Sequence, residues 1–174
     1  MAILDKVPVN KNFLSPLNFN FFVRKCPHVN FFCQKTNIPG LGFSSAPESP
    51  NPFLAIKKQG DHLEYDDLEA TFKVDEDMMN YLQLVSWLTG IGFPNDWSEF
   101  ADLSSKARYT EMGLESDILI QILDSNKQPR FNVNIHDASV VYLGGFDLDT
   151  TAENIDFVTV TAKFQYTGYD ISKV

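Results

Sequence analysis

A chain of 174 residues, 44% of them hydrophobic, is long enough to form one packed domain without disulfides or metals, and this composition argues against disorder. Its 23 acidic and 14 basic residues give a formal net charge of −9, which disfavours tight binding to nucleic acid. No apolar run reaches the roughly 20 residues of a membrane span, and the first residues show no secretory signal.

The N-terminal segment, residues 1–16, mixes charge, Pro and Asn without periodicity and is predicted to be an arm. A single β domain is predicted over residues 17–174. It opens with two runs of strand-forming residues, Leu17–Lys25 and Val29–Thr36. Because Pro27 suits a turn in which its missing N–H has no consequence, the two runs are predicted to form a β-hairpin.

A stretch rich in Pro and Gly follows the second run. Pro39 fixes its own φ and Gly40 permits φ > 0, so the strand is predicted to end there. The three prolines of residues 44–52 predict a loop. A short strand over Phe53–Lys57 and a turn at residues 59–61 are predicted next.

The segment Asp67–Val74 alternates between apolar and polar side chains, which predicts a strand with one buried face. The period then becomes helical, and a helix is predicted over Glu76–Thr89. Asp75 is expected to cap its N-terminus, and Gly90 is expected to close its C-terminus.

The polar segment 95–116 is predicted to be a long loop suited to interaction, since loops of this length are uncommon in compact domains. The apolar run Asp117–Leu123 predicts a strand covered on both faces. A turn at residues 124–129 and the alternating residues Phe131–His136 complete a second hairpin. A further strand is predicted over Val140–Leu148, with a bend at its glycine pair.

The most regular predicted strand is the last, Val158–Thr167. Ten residues would span about 33 Å, enough to run the height of a barrel or sandwich. Its Thr-rich polar face is suited to contacts with a partner. Together the elements predict a mainly β fold, an antiparallel β-barrel or sandwich with one flanking α-helix.

The sequence contains no legible reactive constellation. Its histidines, His28, His62 and His136, share no metal-binding spacing. Two acidic clusters, residues 64–69 and 75–77, are explained as the wet side of a strand and as a helix cap. Cys26 and Cys33 match no zinc or redox motif and are expected to be free, buried thiols. No catalytic, cofactor-binding or metal residue is therefore predicted, and the chain is expected to be a binding or assembly module rather than an enzyme.

Several motifs follow one another in a distinctive order: Phe19–Val23, Val29–Gln34, Asn37–Gly40, Leu68–Asp77, a helix with Trp87 and Gly90, and a closing strand at Tyr166. This order, over residues 17–170, resembles the small tail proteins of T4-like contractile bacteriophages. Within that group the chain is most similar to the tail completion protein, which terminates the tube at the neck end. The main tail tube subunit is second, because residues 15–18 depart from its typical Ala-Arg-Pro-Asn-like start.

The resemblance implies a tail-tube fold and a structural virion protein, six copies of which join edge to edge into a ring. DNA would pass through the lumen without specific binding. The implied partners are other copies and neighbouring tail tube, neck or sheath proteins, assembled in the host cytoplasm, with no cofactor and no membrane. The residues expected at contacts between subunits are Ile38, Pro39, Gly40, Phe43, Trp97, Phe100, Thr159, Thr161, Lys163 and Gln165.

Two other functions remain open from the sequence. A monomeric ligand-binding β-barrel would use some of the 15 Phe residues to line an internal chamber. A hydrolase would bring carboxylates of the two acidic clusters together in a cleft.

Overall fold

The structure is a computed structural model that describes residues 12–51, 53–92, 97–98, 101, 113–151 and 156–174. Within these residues the chain forms, in order, β1 (Phe19–Val23), α1 (Pro27–Phe32), β2 (Cys33–Thr36), β3 (Leu41–Asn51), β4 (Leu54–Tyr65), β5 (Leu68–Lys73), α2 (Met79–Gly92), β6 (Ser116–Leu123), β7 (Pro129–Leu143), β8 (Thr159–Gln165) and β9 (Gly168–Lys173). Neither of the described helices is long and apolar enough to cross a membrane.

The strands form a sandwich-like arrangement of two antiparallel sheets that share one strand. Sheet I has the order β1-β6-β7-β9, and sheet II has the order β7-β8-β5-β2. The predicted mainly β, antiparallel fold is confirmed. The prediction left a barrel and a sandwich open. The strands that the structure describes do not close into a barrel, so the chain adopts the sandwich.

Strand β7 passes from one sheet into the other at a bend. Its first half pairs with β6 and β9, and Ser139–Leu143 pairs with β8. The bend lies at Asp137, whose φ of 52° is one that Asp tolerates, and register shifts flank it. The two strands predicted over Phe131–His136 and Val140–Leu148 are therefore one strand, because a bulge lets a strand change sheets without ending.

The core lies between the sheets and is covered by α2. Alternate residues of the central strands are fully buried: Leu68, Ala70, Phe72, Ile118, Ile120, Val160, Ala162 and Phe164. Helix α2 adds Trp87, which is 1% exposed and whose ring centroid lies 6.1 Å from that of Phe164. The indole Nε1 of Trp87 donates to the carbonyl oxygen of Leu114 at 2.9 Å, so its one polar atom is satisfied.

The first predicted hairpin is wrong. Pro27 begins the short helix α1, because its missing N–H has no partner in the first helical turn in any case. Val29 of that helix is buried in the core. Strand β1 pairs with β6 and strand β2 pairs with β5, so the two runs lie in different sheets. The described chain thus contains a helix, α1, in addition to the single predicted one.

Strands β3 and β4 form a separate two-stranded sheet, here called the ribbon. The predicted loop over residues 44–52 and the predicted turn at residues 59–61 are both wrong, since strands run through them. Pro is tolerated because a strand of a ribbon pairs on one side only. Gly60 lies against the backbone of Ser44, where a Cβ would collide, next to a register shift in the ribbon.

Helix α2 begins later than the predicted Glu76. Met78 has a φ of 54°, and this left-handed residue separates the acidic turn from the helix. Asp75 still accepts a hydrogen bond, from the backbone N–H of buried Asn80 at 3.4 Å. The helix also runs past Gly90, which is buried, so the predicted C-terminal position is wrong too.

The predicted strand over Asp67–Val74 and the hairpin of β6 and β7 are confirmed. Strand β6 buries Ile118 and Ile120 but exposes Asp117, so one of its faces is covered and not both. Strand β8 has seven residues instead of the expected ten, a length of about 23 Å.

Beyond β8 the chain crosses to sheet I and adds the unpredicted strand β9. The crossing is held by the Thr167 N–H, which donates to the carbonyl oxygen of His136 at 3.1 Å, beside the bend in β7.

Candidate functional site

Sheet I has a free edge at β1. The Arg24 N–H donates to the carbonyl oxygen of Asp117 across the ladder with β6, so the backbone groups of Phe21 and Val23 point the other way. The side chain of Asn30 satisfies Val23: its Oδ1 accepts the Val23 N–H at 2.6 Å, and its Nδ2 donates to the Val23 oxygen at 3.3 Å. Asn30 thereby caps one end of this edge, and the rest of it carries no strand in the described chain.

The opposite edge of sheet I is β9. The Val174 N–H donates to the carbonyl oxygen of Arg130 at 3.1 Å. Because backbone hydrogen bonds of an antiparallel ladder alternate along the strand, the N–H groups of Ile171 and Lys173 point away from β7. The Ile171 side chain is 56% exposed. Within the described residues, sheet I therefore ends on both sides in antiparallel strands that can accept another strand.

The outer face of sheet I is rich in amide side chains. Two neighbouring rows cross it, the first through Asn20, Gln121, Asn132 and Ser172, and the second through Phe22, Leu119, Asn134 and Asp170. The Asp170 carboxylate accepts the Nδ2–H of Asn134 at 3.0 Å and lies 2.5 Å from Nε2 of His136. These hydrogen bonds, with that from Asn134 first, hold the pKa of Asp170 below its usual value.

Four predicted contact residues share the outer face of sheet II: Thr159, Thr161, Lys163 and Gln165. The Thr161 hydroxyl lies 3.0 Å from that of Thr71, and Lys163 Nζ lies 2.6 Å from the Glu69 carboxylate. That hydrogen bond lowers the pKa of Glu69 and raises the pKa of Lys163. Strand β8 is paired on both sides, so its polar face, and not its backbone, is what remains for a partner. Contact with another copy stays a prediction here.

Three further predicted residues lie at the root of the ribbon, immediately before β3. The carbonyl oxygen of Pro39 accepts a hydrogen bond from the Tyr169 hydroxyl at 3.1 Å. Gly40 lies so close to the Asp66 carboxylate that a Cβ would collide with it. Ile38 is 45% exposed. Two of these three residues thus hold the base of the ribbon in place.

The base of the ribbon has one apolar face. Leu41 lies opposite Tyr65, and the predicted contact residue Phe43 lies opposite Leu63. All four side chains are between 40% and 57% exposed. Side chains on one face of a ribbon this exposed are available to a partner.

Burial raises the pKa of Tyr166, beside the ribbon root, to about 12, and nearby Tyr169 adds to the rise. An unfolded tyrosine titrates near 10.0, so the folded state holds this proton more tightly. The stabilisation is complete below pH 10 and is lost as pH rises towards 12. We expect the free energy of unfolding to fall across this window, and Tyr166→Phe to flatten the fall. Denaturant titrations at stepped pH measure it; an equally steep fall in the variant would contradict the assignment.

Two predicted contact residues fall in the segment 95–116. Trp97 is helical and 62% exposed. Phe100 lies outside the described residues, as does most of the predicted loop.

The described residues give the two alternative functions no support. Phe72, Trp87 and Phe164 fill the space between the sheets, and a cleft of about 480 Å³ lies on the outer face of sheet I. Glu69 is paired with Lys163, and Asp75 accepts the backbone N–H at the start of α2. In the described residues no group of three or more His, Cys, Asp and Glu side chains could hold a metal ion.

The two cysteines are free, as predicted, but only Cys26 is fully buried. Burial raises the pKa of Cys26 to about 12 and that of Cys33 to about 11. The thiolate is the reactive form of cysteine. At pH 8 we therefore expect both thiols of the folded protein to react with a disulfide reagent at least about ten times more slowly than the same thiols in denaturant. Absorbance kinetics of the released thiol measure this. A fast native phase at Cys26 would contradict its burial.

Sequence reasoning missed the residues that define the free edges. Asn30 lies within a run interpreted as a strand, and Ile171 lies beyond the last predicted one. The alternation of apolar Tyr169 and Ile171 with polar Asp170 and Ser172 is the signal that was available for β9, but it spans too few residues to separate a strand from a tail.

Known proteins resemble this chain both in sequence pattern and in fold. A family model described as phage tail tube protein matches residues 3–172. Among curated proteins, none matches the sequence.

Several solved structures share the fold. A chain of the anti-feeding prophage baseplate is 12% identical, with a TM-score of 0.62 over 94% of this chain and 97% of that one. The anti-feeding prophage tube-terminating cap is 11% identical, with a TM-score of 0.59 over 100% of both chains. The sheath/tube terminator of the PVC extracellular contractile injection system is 10% identical, with a TM-score of 0.54 over 95% and 99%.

Proposed function

The chain belongs to the phage tail tube protein family, whose members are structural proteins and not enzymes, and from that membership we propose that it forms a ring of a contractile phage tail through the free edges of sheet I. The observation that carries the proposal is the pair of edges, one at β1 and one at β9, that no other described strand covers. Soluble monomers usually block such edges, because an exposed one recruits another chain.

The strand directions allow the edges to join. Successive strands of sheet I are antiparallel, so β1 and β9 run in opposite directions. The β9 edge of one copy placed beside the β1 edge of the next therefore continues the antiparallel ladder. Such a head-to-tail contact closes into a ring when its rotation divides a full turn, and we propose six copies.

In this ring the outer face of sheet I lines the lumen. The two amide-rich rows across that face contain one carboxylate, that of Asp170, and Arg24, Arg130 and His136 lie towards the ends of the same face. Because uncharged amide side chains dominate its middle and the chain has a net charge of −9, such a wall offers phosphate few cationic partners, which suits DNA that must pass without binding.

We propose a terminal position, with the ring capping the tube at the neck. The motif order supports this position, and a tube-terminating cap and a sheath/tube terminator are among the proteins that share the fold. The main tail tube subunit is the second candidate, because a chain of the PVC sheath–tube complex shares the fold as well, with a TM-score of 0.53. Neighbouring tube, neck or sheath proteins would contact the tip of the ribbon, whereas Trp97 and the polar face of β8 are expected at contacts between copies.

Negative-stain microscopy and mass photometry of the purified protein test the ring. We expect closed rings of six copies; a stable monomer under conditions in which tail tubes assemble would contradict the proposal. Labelling the chain in intact tails tests its position. One label at the neck end supports the terminator, and labels along the whole tube support the main subunit.

A further inference from the structure

Three tyrosines meet where the ribbon joins the sandwich. Tyr65 is the last residue of β4, and Tyr166 and Tyr169 lie on the corner between β8 and β9. Their rings pack edge to face in a triangle, with centroid distances of 5.7, 5.9 and 6.2 Å. This geometry is the one that aromatic quadrupoles favour.

The two hydroxyls of the corner hold both strands of the ribbon at its root. The Tyr169 hydroxyl donates to the carbonyl oxygen of Pro39, just before β3, at 3.1 Å. The Tyr166 hydroxyl donates to the carbonyl oxygen of Asp66, just after β4, at 2.9 Å. The Asp66 N–H in turn donates to the Gly40 oxygen at 3.1 Å and closes the root.

We infer that Tyr166 and Tyr169 act as a clamp that fixes the direction of the ribbon relative to the sandwich, and thereby present the apolar base of the ribbon to a second copy of the chain. Among the described strands β3 and β4 pair with each other alone, and a two-stranded ribbon is marginally stable in water. Its direction therefore depends on what holds its root. Only the second half of the inference, contact with another copy, rests on the proposed ring.

The variant Tyr166→Phe/Tyr169→Phe tests the clamp, since it keeps both rings and removes both hydroxyls. Tyr142→Phe, at a tyrosine 52% exposed on β7, is the matched control. Spin labels at positions 53 and 125, in a Cys33→Ser background, report the distance between the ribbon tip and the sandwich. We expect a broader distance distribution and about tenfold faster hydrogen exchange at the Asp66 amide in the double variant, with neither change in the control. A loss of general stability alone would not broaden the distribution.

An unchanged distribution and unchanged exchange would overturn the clamp, whatever the assembly state. If wild-type protein forms rings, we expect the double variant to form them at least several-fold more slowly; equal rates would overturn the role in presentation. If wild-type protein forms no rings, the proposed function fails, and the distance and exchange measurements still decide the clamp. Should the double variant not fold, Tyr169→Phe alone carries the same measurements.

Discussion

Ile171→Pro is expected to abolish ring assembly while the monomer stays folded. The Ile171 N–H points away from β7, so Pro removes no hydrogen bond of the sheet but takes a donor from the free edge and blocks pairing with β1 of another copy. The side chain is exposed, so little packing is lost. Mass photometry should show loss of more than about nine-tenths of the rings, while circular dichroism keeps its β signal.

Two matched variants separate the edge from other effects. Ile171→Ala retains the N–H and should assemble. Ser172→Pro removes an N–H that faces β7 and should detach β9, lowering stability as well as assembly. Rings formed by Ile171→Pro at the wild-type level would exclude the β9 edge as the contact between subunits.

Trp87→Ala is expected to lower the free energy of unfolding by about 3–5 kcal/mol, the range for a buried aromatic residue replaced by Ala. Trp87 is 1% exposed, packs on Phe164 and donates its indole hydrogen to Leu114, so the variant leaves a cavity and an unpaired carbonyl. Domains of this size have a total of about 5–15 kcal/mol. Denaturant unfolding measures the loss.

Trp97→Ala is the control, because Trp97 is 62% exposed. Its effect on unfolding should be much smaller than that of Trp87→Ala, because most of the Trp97 side chain stays in water on folding. A loss below about 1 kcal/mol for Trp87→Ala would contradict its place at the centre of the core.

The structure places two groups of the predicted contact residues in different surroundings. Thr159, Thr161, Lys163 and Gln165 lie on the polar face that alternation predicted. Pro39 and Gly40 were chosen for a turn and lie at the ribbon root, where their backbone meets Tyr169 and Asp66. No sequence pattern pointed to that junction, because Tyr169 is 130 positions from its partner.

The sequence by itself determined which side of a strand is buried. Alternation in β5 and β8 predicted their buried faces, because side chains point to opposite faces at every step whatever the partner strand is. The change of period after β5 predicted α2, and the order of motifs indicated the family.

Only the tertiary structure decided which strands pair and which edges remain free. Phe19 pairs with Ile122, more than a hundred positions away, and not with the nearby run that the hairpin prediction joined to it. Pro27 starts a helix because the helical turn buries Val29 in the core. Strand pairing is set by long-range contacts that no local pattern encodes, and the free edges of sheet I are a consequence of that pairing.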